Sequence, residues 1–177
     1  MKISSSILFI LLFTFSGCKL IDELTHFDIE YNYIFTLPAF NGLIIPEEIE
    51  SPQIENNTES TFEINNTRKD LVERATLKKF NVTILEPTDG NFNFLNKIEI
   101  FVKTDVLEEK LIAWKDNLSN DIGNYLELET TSSDLKKDLT SDAIRVRLKT
   151  TSSSPLTEDL LLDLKSTVEV DAKILGI

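Results

Sequence analysis

Side chains able to do chemistry are few in this sequence. It holds one histidine, His26, and one cysteine, Cys18. His26 has no Cys or His at ligand spacing, so a His-based metal site and His-driven acid–base catalysis are not expected. The best carboxylate pairs are Glu108 with Glu109 and Glu127 with Glu129. Glycoside hydrolysis needs two carboxyls facing across a cleft, one of them with a raised pKa. Adjacent glutamates in a turn and alternate glutamates along a strand read instead as solvated surface. Asp89, Asn91 and Asn93 place oxygens at i, i+2 and i+4, as a Ca²⁺ loop begins. Phe94 then stands where the sharp turn wants Gly, and Ile100 where a bidentate Glu is needed. A hairpin turn followed by core aromatics is the simpler reading. Trp114, with Tyr125 and Tyr31 elsewhere, offers an aromatic platform for a sugar, and Trp114 is the one ligand contact singled out; core packing is the competing use. No G-x-S-x-G, phosphate-binding glycine loop or H-E-x-x-H occurs. Ser152, Ser153 and Ser154 are turn residues with no nearby histidine to activate them. No catalytic residue, metal ligand or cofactor site is assigned.

Composition narrows the classes further. The 177 residues include 18 basic and 30 acidic side chains, a net charge of −12. That charge repels polyphosphate, which argues against a nucleic-acid partner. Apolar residues at 41% suffice for a core, and a single Cys excludes an internal disulfide framework. Asn56, Asn65, Asn81 and Asn117 begin N-x-S/T glycan acceptor patterns, which an Asn-rich chain contains by chance.

The N-terminus carries the most specific signal. Met1 and Lys2 precede a nine-residue apolar run over residues 7–15, then Ser16, Gly17 and Cys18. A basic start, a short apolar stretch and a small-residue junction make a secretory signal peptide. The run is far short of the ~20 residues a spanning helix requires. With the lone Cys directly after Ser16-Gly17, this segment resembles a bacterial lipoprotein precursor. The resemblance implies cleavage between Gly17 and Cys18, a diacylglycerol thioether on the Cys18 thiol, and usually a third acyl chain on the new amine. Phe15 departs from the Leu usual three residues before the Cys. The aromatic-rich signal is similar to Bacteroidota-type lipoproteins. Two or three chains hold a bilayer stably where one does not. Removing residues 1–17 takes Lys2 with it, leaving 17 basic against 30 acidic side chains, or −13. Asp22 and Glu23 sit two positions later than the acidic residues that direct such lipoproteins to the cell surface, so an ordinary tether reads equally well. An ordinary secreted protein with an unpaired Cys is the competing reading.

The rest reads as antiparallel β. Residues 28–37 alternate Ile29, Tyr31, Tyr33 and Phe35. Residues 38–60 hold Pro38, Gly42, Pro46 and Pro52 and form a long loop or linker, with 42–45 as a short edge strand. Strand patterns follow at 61–66 (Phe62, Ile64), 75–85 (Phe80, Val82, Ile84, with Leu77 out of phase and so a bulge), 97–104 and 125–130. A short apolar run at 111–114 lies between the last two, and further strands fall at 143–151 and 160–175. Glu86 to Asn91 and Ser152 to Pro155 are turns. Only 133–141 reads as helical, from Leu135 and Leu139 at i, i+4.

Seven or eight strands about ten residues apart predict an all-β, antiparallel two-sheet sandwich with one short helix, an immunoglobulin-like Greek key being the first choice. The expected organisation is a signal peptide at 1–17, a lipidated anchor and tether at 18–27, and one β-sandwich domain at 28–177. The expected role is a lipid-anchored cell-envelope protein, at the outer membrane ahead of the inner, periplasmic or surface-exposed. Its domain would be non-catalytic, structural or binding, with an envelope protein as partner and an accessory-subunit role as one form. The alternative is a surface lipoprotein binding a glycan or Ca²⁺.

Overall fold

The computed structural model describes residues 25–41, 47–56, 58–118 and 121–174. The signal-peptide segment, with Gly17 and Cys18, lies outside the described residues, as do residues 42–45.

Alternating apolar and polar residues bury one face of a strand and leave the other in water. β1 (His26–Leu37) buries Ile29, Phe35 and Leu37 in this way. It opens two residues before Asp28, where the sequence places the domain start. β1 pairs antiparallel with β9 (Leu160–Ala172) without a register break, from His26 opposite Asp171 to Leu37 opposite Leu160. β9 pairs in turn with β4 (Val72–Glu86), and β4 with β7 (Tyr125–Thr130). β7 joins β6 (Lys110–Lys115) through two paired positions, Ala113 opposite Thr130 and Trp114 opposite Glu129. The path continues through β5 (Leu95–Lys103) and β8 (Ala143–Ser152) to β2 (Glu47–Glu50), with β3 (Ile54–Glu55) also on β8.

Among the described residues, nine strands form an antiparallel sheet that curls into a β-sandwich, its two halves facing each other over one apolar core. This is the expected all-β architecture, refined in one respect. An immunoglobulin-like Greek key keeps two separate sheets, whereas here the β7–β6 pairing makes one continuous path. Bulges provide the bending. One falls between Leu77 and Lys79, at the residue the sequence marked as out of phase, and another between Ile100 and Phe101 on β5. Lys78, displaced by the first, reaches Asp28 at 3.2 Å and Glu169 at 3.6 Å.

Two segments differ from expectation. Residues 61–66 are not a strand: α1 (Glu59–Ile64) is a single helical stretch. Phe62 is 1% exposed and Ile64 is 80% exposed, so the two do not share a buried face. Two apolar residues cannot fix a period, and Phe62 packing edge-on against Phe27, centroids 6.1 Å apart, decides it. Asn66, with φ of 52°, ends the turn. The 38–60 region contains β2 and β3; Glu48 of β2 is drawn onto β8 by Arg147 and Lys149 at 3.1 and 3.2 Å. The expected short helix is present as α2 (Lys136–Leu139), with Leu135 and Leu139 buried. Among the described residues no helix is long and apolar enough to cross a membrane.

Gly90 turns the chain between β4 and β5. A Cβ there would lie 2.7 Å from Ile84 Cγ2 and 2.9 Å from the Pro87 carbonyl oxygen. Gly90→Ala is therefore expected to destabilise the domain by about 1–3 kcal/mol through overpacking, read as a lower urea midpoint with the slope of the transition unchanged.

Candidate functional site

A sheet that curls but does not close has a seam. Here the seam lies between β1 at one end of the path and β8 with β2 and β3 at the other. Asn56, next after β3, bridges it. Tyr31 of β1 donates its hydroxyl to Asn56 Oδ1 at 3.1 Å, and Asn56 Nδ2 donates to the backbone carbonyls of Asp138 and Leu139 in α2. Asn56 is 5% exposed with its amide occupied, so this acceptor pattern is not available to a glycan. Burial pushes the Tyr31 phenol above its ordinary range, keeping it a neutral donor. α2 is pinned from the other side by Asp134, whose Oδ1 accepts the backbone N–H of Ala75 in β4 at 3.1 Å and of Lys136 at 2.9 Å.

Behind this bridge lies a cavity of about 110 Å³. Leu77, Phe80, Leu164 and Val168 line it from one half of the sandwich, and Ile112 and Val146 from the other. The space follows from one small side chain. On β9 the inward positions run Leu162, Leu164, Ser166, Val168 and Val170, and Ser166 stands in register between Tyr31 of β1 and Phe80 of β4. A serine among leucines and valines leaves volume that its neighbours do not fill.

One charged pair borders this apolar space. Asp138 of α2 lines the cavity and is 3% exposed. Its Oδ2 takes the Lys110 ammonium at 2.7 Å, while its Oδ1 is buried with no hydrogen-bond partner among the described residues. An unpaired buried acceptor is destabilising by about 1–3 kcal/mol, so its persistence calls for a reason.

The residues read from sequence fall elsewhere. Trp114 is half-buried on the outer face, opposite Glu99 of β5 and Glu129 of β7. Tyr125 is exposed on β7, four positions from Glu129 and so roughly 13 Å along the strand. Tyr31 is at the cavity, so the three aromatics form no common platform. Glu127 and Glu129 stand on the wet face of β7. Glu109 is held by Arg147, which donates from Nε at 2.7 Å and from its terminal nitrogen, and stacks 4.2 Å above the Phe101 ring. That bond holds the Glu109 carboxyl below its usual range. The Asp89 to Asn93 segment is a turn: Asn91 Oδ1 accepts the Asn93 N–H and Asn93 Oδ1 the Ile122 N–H. Among the described residues no group of three or more His, Cys, Asp or Glu side chains could hold a metal. His26 opens β1, 3.9 Å from Asp171.

Sequence reading missed Asn56, Lys110, Asp138 and Ser166. Ser166 alone had a visible signal, a small polar residue interrupting an aliphatic inward row.

No protein-family model matches the chain, and no curated protein does. Among solved structures, the chain is similar to the decameric BFDV capsid protein at 11% identity and TM-score 0.35, covering 82% of this chain and 98% of that one. It is similar to turnip yellow mosaic virus at 10% identity and TM-score 0.27, over 85% and 98%. A carbohydrate-binding module of the β-sandwich superfamily gives 10% identity and TM-score 0.31, over 84% of this chain and 55% of that one. Superpositions this loose carry no property of those proteins over to this chain.

Asn56→Ala removes the bridge and leaves the Tyr31 hydroxyl and two carbonyls seeking partners; a loss of about 2 kcal/mol in denaturant unfolding is expected, with faster hydrogen exchange in β1. A pH effect follows at the surface. The folded-state pKa of Glu109 lies below its unfolded value, so its contribution is present above the unfolded pKa and lost as pH falls through the folded one. Between about pH 5 and pH 3 the urea midpoint should therefore fall less steeply in Arg147→Gln than in the native chain.

Proposed function

We propose that this chain is a lipid-anchored protein of the bacterial cell envelope whose β-sandwich is a non-catalytic binding domain, with the seam cavity as its ligand site. The carrying observation is the conjunction of an apolar cavity between the two halves with a buried carboxylate oxygen left without a partner among the described residues. A few polar groups on a mostly apolar lining are what orient a small ligand. The carboxylate of the lining is already tied to Lys110. The anchor is supported by the signal-like residues 1–17 and the placement of Cys18. With β1 opening at His26, seven residues separate the acylated Cys from the sheet. Fully extended they reach roughly 25 Å, so the domain would sit close to the bilayer. An envelope protein as a further partner, with this chain as an accessory subunit, fits that position.

Two experiments test the two halves of the proposal. In the native host, Cys18→Ala should move the protein from the membrane to the soluble fraction, and mass spectrometry of the wild-type N-terminus should find acylated Cys18; a bare thiol on a soluble chain would refute the anchor. Ser166→Val should raise stability by about 1 kcal/mol by filling the cavity. It should also abolish the shifts that isobutanol induces in the Leu164 and Val168 methyl resonances of the full mature chain. Persistence of those shifts in the variant would place binding elsewhere.

A further inference from the structure

The residues around the cavity select the kind of ligand it takes. We propose that the cavity takes a compact neutral aliphatic alcohol, its hydroxyl donating to Asp138 Oδ1 and its apolar body lying among Leu77, Phe80, Leu164 and Val168. This inference rests on the proposal that the cavity is the ligand site.

Size is set by volume. An apolar protein cavity of about 150 Å³ holds benzene, so about 110 Å³ suits a smaller ligand, on the order of four or five non-hydrogen atoms. Charge sets the polar group. Asp138 already has a counter-ion, the Lys110 ammonium at 2.7 Å from Oδ2, and the pair is balanced. A cationic ligand would bring an uncompensated positive charge into a poorly solvated site, and an anionic one would meet the carboxylate. A neutral donor completes the vacant acceptor position without changing the net charge. In the empty chain Oδ1 is covered by its surroundings. The χ2 torsion of a carboxylate is broad, so a small rotation presents that oxygen to the cavity it borders. Tyr31 does not compete for it, because its hydroxyl donates to Asn56. A hydrocarbon of equal shape would fill the space and leave Oδ1 unpaired, which is the basis of discrimination.

The test uses three probes of similar size on the full mature chain in detergent micelles: isobutanol, isopentane and isobutylammonium, followed through methyl resonances lining the cavity. Isobutanol is expected to bind about tenfold more tightly than isopentane, with isobutylammonium weakest. Asp138→Ala should bring isobutanol and isopentane together. Lys110→Met keeps the carboxylate but removes its counter-ion, and should make isobutylammonium the tightest of the three; it carries the test should Asp138→Ala not fold. Equal binding of isobutanol and isopentane to the native chain would overturn the hydroxyl assignment and leave the cavity as a ligand site. Tightest binding of the ammonium to the native chain would overturn the charge argument. No response to any probe, with Ser166→Val spectra also unchanged by them, would overturn the cavity reading itself.

Discussion

The structure depends on how a curled sheet holds its two halves together. On one side of the sandwich the backbone ladder does this, through the pairing of β7 with β6. On the other side, around Tyr31, side chains bridge β1 to the segment after β3 and to α2. A hydrogen-bonded ladder spreads its energy over many groups, whereas the seam concentrates it in Asn56, which serves both sides with one amide. Asn56 can do so because it is buried, where each of its bonds is made in a low dielectric and none is lost to water. The cavity is a consequence of the same geometry. It lies between the two halves, beside Ser166, which withholds the volume a leucine would supply.

Charge is arranged on the outside to support this. The chain is strongly acidic, yet two of its four arginines, Arg145 and Arg147, stand on the wet face of β8. Arg147 alone meets Glu48 of β2, Glu109 before β6 and the Phe101 ring of β5. Arg145 meets Glu50 and Asp105. Exposed pairs are individually weak, but a network tying a four-residue edge strand to a long neighbour fixes where that edge lies. The short edge strand β2 is thereby both paired and charged, which discourages further strand addition.

Much of this was legible from residue types. Strict alternation in β1, β5 and β8 predicted both the strands and their buried faces, because a period of two has one physical meaning. Leu77 out of phase announced the bulge for the same reason. The α1 segment was not legible: two apolar residues two apart fit a strand as well as a helix, and only the packing of Phe62 on Phe27 distinguishes them. Trp114 drew attention by its type, and lies instead among glutamates on the outer face. Asp138 gave no sign at all, since one aspartate in a charged helix looks like any solvated residue.

By itself the sequence determined the antiparallel β class, the acidic surface, and the signal-like N-terminus ending at Cys18. Each of these is a local property, readable from neighbours a few positions apart. Only the tertiary structure decided that Asn56 bridges the seam and that Asp138 and Lys110 border an apolar cavity. Those residues are 82 and 28 positions from the partners they meet across α2. Contacts of that span arise from how the sheet curls, and the curl is set by pairing and packing over the whole chain at once.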